Sequence, residues 1–143
     1  VAKEIGTLSK RFRIEAFAFD RWRIDDLQRE LDAQGITNWI VGRDRDNGGV
    51  KLVEHGQGFK DMNPAVEALE DDLLEHVLKH GNHPVLTWCV ANVRVTEDPA
   101  GNRKFDKRKA TGRIDGAQAL AMADNLSVSM AEEESGSYAV TVI

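Results

Sequence analysis

The sequence predicts an α/β fold, a mixed sheet flanked by helices, and three observations predict it. Ile14 to Phe19 is a short, bulky apolar run broken only by Glu15, the pattern of a strand covered on both faces. A helical stretch follows at once, with Ile24, Leu27 and Leu31 at helical spacing and Gly35 as its stop. Further on, short apolar runs separated by polar turns alternate with more helical patterns, as in a sheet built from strand–helix units.

Taken in order, residues 1–11 read as a helix with Ile5 and Leu8 on one face. The strand over 14–19 and a helix from Asp20 or Arg21 to Gln34 come next, with Trp22 expected in the core. A second strand is expected over 36–42, then a polar turn over 43–49 and a strand from Val50 to Val53. Asn63 reads as the N-cap of the clearest helix, with Pro64 in its first turn. Val66, Leu69, Leu73 and Val77 continue along one face, and Lys79, His80 and Gly81 close the helix. Pro84 opens a short helix to Ala91. Residues 92–96 and 103–105 then form a hairpin about the turn Asp98-Pro99-Ala100-Gly101-Asn102. A last helix is predicted from between Gly112 and Asp115 to about Leu126, its alanines suiting close packing. Residues 127–143 are left as a tail in which 138–143 can pair as a strand.

A chain of 143 residues holds one core, and 41% apolar with 30% charged residues is the balance of an ordinary globular domain. No apolar run nears the ~20 residues of a membrane span, and no charged-then-apolar leader opens the chain, so a cytoplasmic location with no membrane partner is expected. Cys89 is the single cysteine. It excludes an intrachain disulfide or a cysteine-based zinc site and is expected to be buried. The net charge of −5 opposes indiscriminate nucleic-acid binding, yet Arg103, Lys104, Lys107, Arg108, Lys109 and Arg113 crowd one segment against the single acid Asp106.

Two acids stand out by position. Asp20 ends the first predicted strand, and sites in open α/β folds gather at the carboxyl ends of strands. Asp115 opens the last helix, and a second carboxylate brought to that edge would suit a hard divalent cation such as Mg²⁺ or Mn²⁺. The plainer readings are an N-cap for Asp20 and a favourable first-turn acid for Asp115. Other patterns are weaker. His76, His80 and His83 have a spacing that zinc can use but no fixed carboxylate or cysteine partner. Asp44 to Gly48 opens like a calcium loop, but position twelve is His55 instead of glutamate. Gly56-Gln57-Gly58 lacks the Lys-Ser/Thr of a phosphate-binding loop, which excludes an ATPase signature.

Four strings occur in a telling order: Phe19-Asp20-Arg21-Trp22; Gly56-Gln57-Gly58-Phe59 with Met62-Asn63-Pro64-Ala65; Asn82-His83-Pro84-Val85-Leu86-Thr87-Trp88-Cys89; and Thr111-Gly112-Arg113-Ile114-Asp115-Gly116. Together they resemble the C-terminal nuclease domain of phage terminase large subunits over most of residues 3–126. The resemblance implies a partial ribonuclease H-like fold and a two-metal (Mg²⁺ or Mn²⁺) nuclease that cuts double-stranded DNA concatemers. It also implies the terminase small subunit and the portal as partners. Asp20 matches the family's second acidic ligand and Asp115 its third. The first-strand acid has no counterpart here, so little or no cleavage is expected of the chain alone. The strand before Asp20 is then expected to offer an open edge for self-association. Arg21, Lys104, Lys107, Arg108, Lys109 and Arg113 are the expected DNA contacts, with an ion pair to a neighbouring acid as the other reading of Arg21. The rival functions are a non-catalytic module that docks DNA or a packaging partner, and another ribonuclease H-like enzyme such as a resolvase or transposase.

Overall fold

The structure is a computed structural model that describes residues 1–22, 24–79 and 81–136, with the backbone alone for 132–136. The fold is α/β. The described residues form two compact units, Val1–Gly56 and a second from Gln57 onward.

The first unit contains α1 (Ala2–Arg11), β1 (Phe17–Phe19), α2 (Ile24–Ala33), β2 (Asn38–Ile40) and β3 (Val50–Glu54). Its sheet has the order β1-β3-β2, and both pairings are parallel. Leu52, at the centre of β3, faces Phe17 on one side and Ile40 on the other and is fully buried. Ala2, Ile5, Ile24, Leu31, Ile40 and Leu52 form the core, with Phe17, Phe19, Leu27, Ile36 and Val50 packed around it. Burying a side chain such as Leu31 or Leu52 contributes about 1.5–3 kcal/mol.

Gly35 stops α2 as predicted. At φ +68 it lets its own N–H reach the Asp32 carbonyl and the Ile36 N–H reach Leu31, both at 2.9 Å. The expected strand over 14–19 shortens to Phe17–Phe19 and is half-buried instead of covered on both faces. Trp22, expected in the core, is 80% exposed, because α2 begins only at Ile24 and leaves it on the preceding bend.

Residues 43–49, read as a simple turn, lie in the connection between two parallel strands. Polar side chains order this connection in place of a crossover helix. Asp44 Oδ2 accepts the Ile40 N–H at 2.9 Å, and Asn47 Nδ2 donates to the Asn38 carbonyl at 2.8 Å. Gly49 is required where β3 enters the sheet, since a Cβ there would collide with the Thr37 carbonyl.

The second unit contains α3 (Phe59–Leu74), α4 (Pro84–Ala91), the antiparallel pair β4 (Val95–Glu97) and β5 (Arg103–Phe105), and α5 (Asp115–Gly136). The α4 helix and β5 match their predicted positions, whereas the strand expected over 92–96 is shifted to Val95–Glu97. The α3 boundaries do not. It starts at Phe59 with Gly58 as N-cap, so Pro64 lies inside the helix and Asn63 is no cap. Asn63 Oδ1 instead accepts the Arg103 N–H at 2.8 Å and ties α3 to β5.

The C-terminus of α3 comes before Gly81. His76 takes a left-handed φ of +57, and the Val77 N–H closes on the Asp72 carbonyl at 3.0 Å. His76 therefore lies outside the helix, which removes the helical spacing a zinc site would have used; His80 lies outside the described residues. Along α5, Ala117 and Ala121 are fully buried four residues apart, letting α3 approach closely; Gln118 Nε2 meets the Met62 sulfur at 2.7 Å. The α5 helix runs past the expected end at Leu126 to Gly136, so residues 127–136 are helix instead of tail, and the strand expected over 138–143 lies outside the described residues. No helix among the described residues is long and apolar enough to cross a membrane.

Candidate active site

Asp20 follows β1 directly and is half-buried. The register sets Phe19 opposite Glu54, so Asp20 and Glu54 share the carboxyl-terminal edge of adjacent parallel strands. Sequence reasoning missed Glu54, because only strand pairing brings it to that edge. Arg21 Nε lies 3.1 Å from Glu54 Oε1, which supports the ion-pair reading of Arg21 over a free phosphate contact.

Asp115 begins α5 in the second unit and is exposed, with Lys107 Nζ 3.1 Å from its Oδ1. Between these two residues the chain forms a loop whose shape depends on Asp106. Asp106 Oδ1 accepts the N–H groups of Arg108 at 2.9 Å and Lys109 at 3.3 Å. Those hydrogen bonds, the Arg108 N–H first, hold the Asp106 carboxyl below the usual carboxylate range, with help from the charge of Lys109. The one acid in the basic segment thus organises the loop that presents its cations.

The six expected DNA-binding cations divide by environment. Lys104 Nζ stands 4.5 Å from the centre of the Phe59 ring, Lys107 pairs with Asp115, and Lys109 reaches Thr96 Oγ1 at 3.3 Å. Arg21 is held by Glu54. Arg108 and Arg113 are exposed and make no ion pair among the described residues. Neighbouring Arg103 is bound to Glu70 at 2.8 Å, which strengthens its hold on its proton.

The string Thr111-Gly112-Arg113-Ile114-Asp115-Gly116 is shaped by α4. Thr111 Oγ1 donates to Asn92 Oδ1 at 2.7 Å, and Asn92 Nδ2 donates to the Trp88 carbonyl at 2.8 Å. A Cβ on Gly112 would come within 2.9 Å of both Asn92 Nδ2 and Trp88 Cζ2, so this backbone approaches α4 as only glycine can. Cys89, buried as expected, faces Gly116 one turn further on. Two sequence motifs separated by the hairpin are therefore one packed structure that positions Asp115.

Asp20 and Asp115 have the donor chemistry a hard divalent cation takes, and the ammonium beside Asp115 shows that this carboxylate accepts a cationic partner. Among the described residues no group of three or more histidine, cysteine, aspartate or glutamate side chains suited to a metal occurs.

A family model described as the terminase large subunit, endonuclease domain, matches residues 1–132. The chain belongs to this family. Its match contains all four motifs quoted above. Over 138 residues the terminase domain is 44% identical to the large terminase subunit of Enterobacteria phage HK97, covering 96% of this chain and 25% of that protein. Over 69 residues it is 33% identical to protein YmfN of Escherichia coli strain K12, covering 47% of this chain and 15% of that one. The crystal structure of the HK97 large terminase superposes with a TM-score of 0.75 at 46% identity, over 87% of this chain and 24% of that chain. The terminase domain described here thus spans about a quarter of the length of its HK97 relative.

Proposed function

We propose that this chain contributes to the endonuclease of a phage DNA-packaging terminase, hydrolysing double-stranded DNA concatemers with Mg²⁺ or Mn²⁺ in a ribonuclease H-like domain. The observation that carries this reading is Asp115, exposed at the first turn of α5 within a family motif and flanked by the basic loop Asp106–Arg113. Asp20 and Asp115 each supply a carboxylate ligand. Bound divalent ions would supply the positive charge that stabilises developing negative charge at the phosphorus oxygens. Arg108 and Arg113 contact the DNA backbone, while Lys107 balances the Asp115 charge when no metal is present. The terminase small subunit and the portal are the proposed partners, and the host cytoplasm is the proposed place of action.

A full-length terminase carrying this segment tests the reading by cleavage of linear duplex DNA with Mn²⁺. Asp20→Asn and Asp115→Asn are each expected to abolish cutting while leaving folding intact. Undiminished cutting by either variant would remove that residue from the site. For the chain by itself, a second reading is docking of DNA or a packaging partner without hydrolysis, supported by the exposed cations Arg108 and Arg113 of the basic loop.

A further inference from the structure

Glu54 and Arg21 meet at the carboxyl-terminal edge of the first unit's sheet, beside the candidate metal ligand Asp20. The backbone that carries them is tied across the two strands. Phe19 and Glu54 are register partners, and the His55 N–H reaches the Phe19 carbonyl at 2.8 Å, so the pairing extends to the residue before Asp20 and the residue after Glu54. Just beyond, the buried His55 ring meets the Gly56 carbonyl at 2.9 Å and orders the turn that leaves β3.

The two side chains are 64% and 49% exposed, so screening leaves their ion pair little to contribute to stability. Its geometry is more informative. Glu54 Oε1 lies 3.1 Å from Arg21 Nε, and the two Nη groups make no hydrogen bond among the described residues. A guanidinium carries further N–H donors on its Nη atoms, fixed in one plane, and such donors can take a phosphate through two parallel hydrogen bonds. A long side chain already fixed by a carboxylate also has less rotamer freedom to lose on binding.

We propose that Glu54 is a positioning residue: it holds Arg21 by Nε and leaves the Nη edge of the guanidinium to a DNA phosphate beside Asp20. This rests on the endonuclease reading and adds Arg21, as a held contact, to the phosphate contacts of the basic loop. The sign of one effect separates positioning from plain electrostatics. Glu54 is an anion, and removing an anion from an edge that binds DNA should by itself tighten binding. Removing the support of Arg21 should weaken it.

Fluorescence anisotropy of the 143-residue chain with a labelled duplex oligonucleotide, at low salt and without divalent ions, reads that sign. Glu54→Ala is expected to weaken binding severalfold in spite of the lost negative charge. Arg21→Ala should weaken it further and reduce the slope of log affinity against log salt by about 0.9. Once Arg21 is alanine, adding Glu54→Ala should cause no additional loss. Both side chains are exposed, so unfolding midpoints of the variants should stay near that of the native chain. Tighter or unchanged binding by Glu54→Ala, the same loss with and without Arg21, or no duplex binding by the native chain would overturn the proposal. The endonuclease reading is judged apart from this: it stands if Asp20→Asn and Asp115→Asn abolish cutting by the full-length terminase, whatever Glu54→Ala does to DNA binding.

Discussion

Lys107 Nζ and Asp115 Oδ1 lie 3.1 Å apart, joining the basic loop to the first turn of α5. Both groups are more than half exposed, at 52% and 67%, so screening limits what the pair adds to stability to about 0–1 kcal/mol. Its importance is electrostatic: a cation already occupies the position that a metal would compete for. Lys107→Met is therefore expected to leave the unfolding midpoint nearly unchanged and to tighten Mn²⁺ binding severalfold by calorimetry. Weaker Mn²⁺ binding in this variant would mean that the ammonium assists the metal instead of competing with it.

Gly112→Ala should be more damaging than its size suggests. The added Cβ meets Asn92 and Trp88 at 2.9 Å, and neither can withdraw without breaking the Asn92–Thr111 hydrogen bond or moving α4. A loss of about 1–3 kcal/mol is expected in denaturant unfolding. Chemical shifts should move at Thr111 and Asp115 as well as at the substitution.

Leu52→Ala removes the fully buried centre of the first unit's sheet and should cost about 2–5 kcal/mol. Lysine or glutamate substitutions at exposed Trp22 should be nearly neutral to folding, which urea unfolding of both variants can compare directly.

Arg108 and Arg113 are the basic residues of the loop left without ion pairs among the described residues. If each neutralises one phosphate, Arg108→Ala and Arg113→Ala should each reduce the slope of log affinity against log salt by about 0.9. Fluorescence anisotropy with a duplex oligonucleotide reads this slope. Arg103→Ala, which breaks the Glu70 pair instead, should leave it unchanged.

Asp98 and Asp106 are held below the usual carboxylate range, Asp98 chiefly by the Asn102 side chain and Asp106 chiefly by the Arg108 N–H. Their contribution is complete above the ordinary aspartate value and is lost as pH falls through the lowered ones. Amide protection at Asn102, Arg108 and Lys109 is expected to drop severalfold on acidification, and Asp106→Ala should produce the loop's share of that loss at neutral pH. Equal protection at both pH values would show that the backbone alone holds these turns.

Much of this was legible in the residues alone. The helix α4, the hairpin β4–β5 and the glycine end of α2 follow from local signals, namely a proline at the first helical turn, a turn-forming pentapeptide and a left-handed glycine. The ends of α3 were misjudged for the opposite reason. Asn63 and Pro64 look like a helix start, but Asn63 is engaged by Arg103, forty residues away, and the chain had already become helical at Phe59. Local propensity cannot register a partner so distant. Trp22 was placed in the core by its size, whereas the late start of α2 leaves it in solvent.

By itself the sequence determined the family, the strand-ending position of Asp20, the helix-opening position of Asp115 and the concentration of positive charge before it, because each is written in consecutive residues. Tertiary structure decided which charges are already spoken for. Glu54 holds Arg21 and Lys107 holds Asp115, each across 3.1 Å between side chains that the chain order keeps apart. Electrostatic interactions fall off with separation in space and take no account of separation along the chain, so only folding could make those assignments.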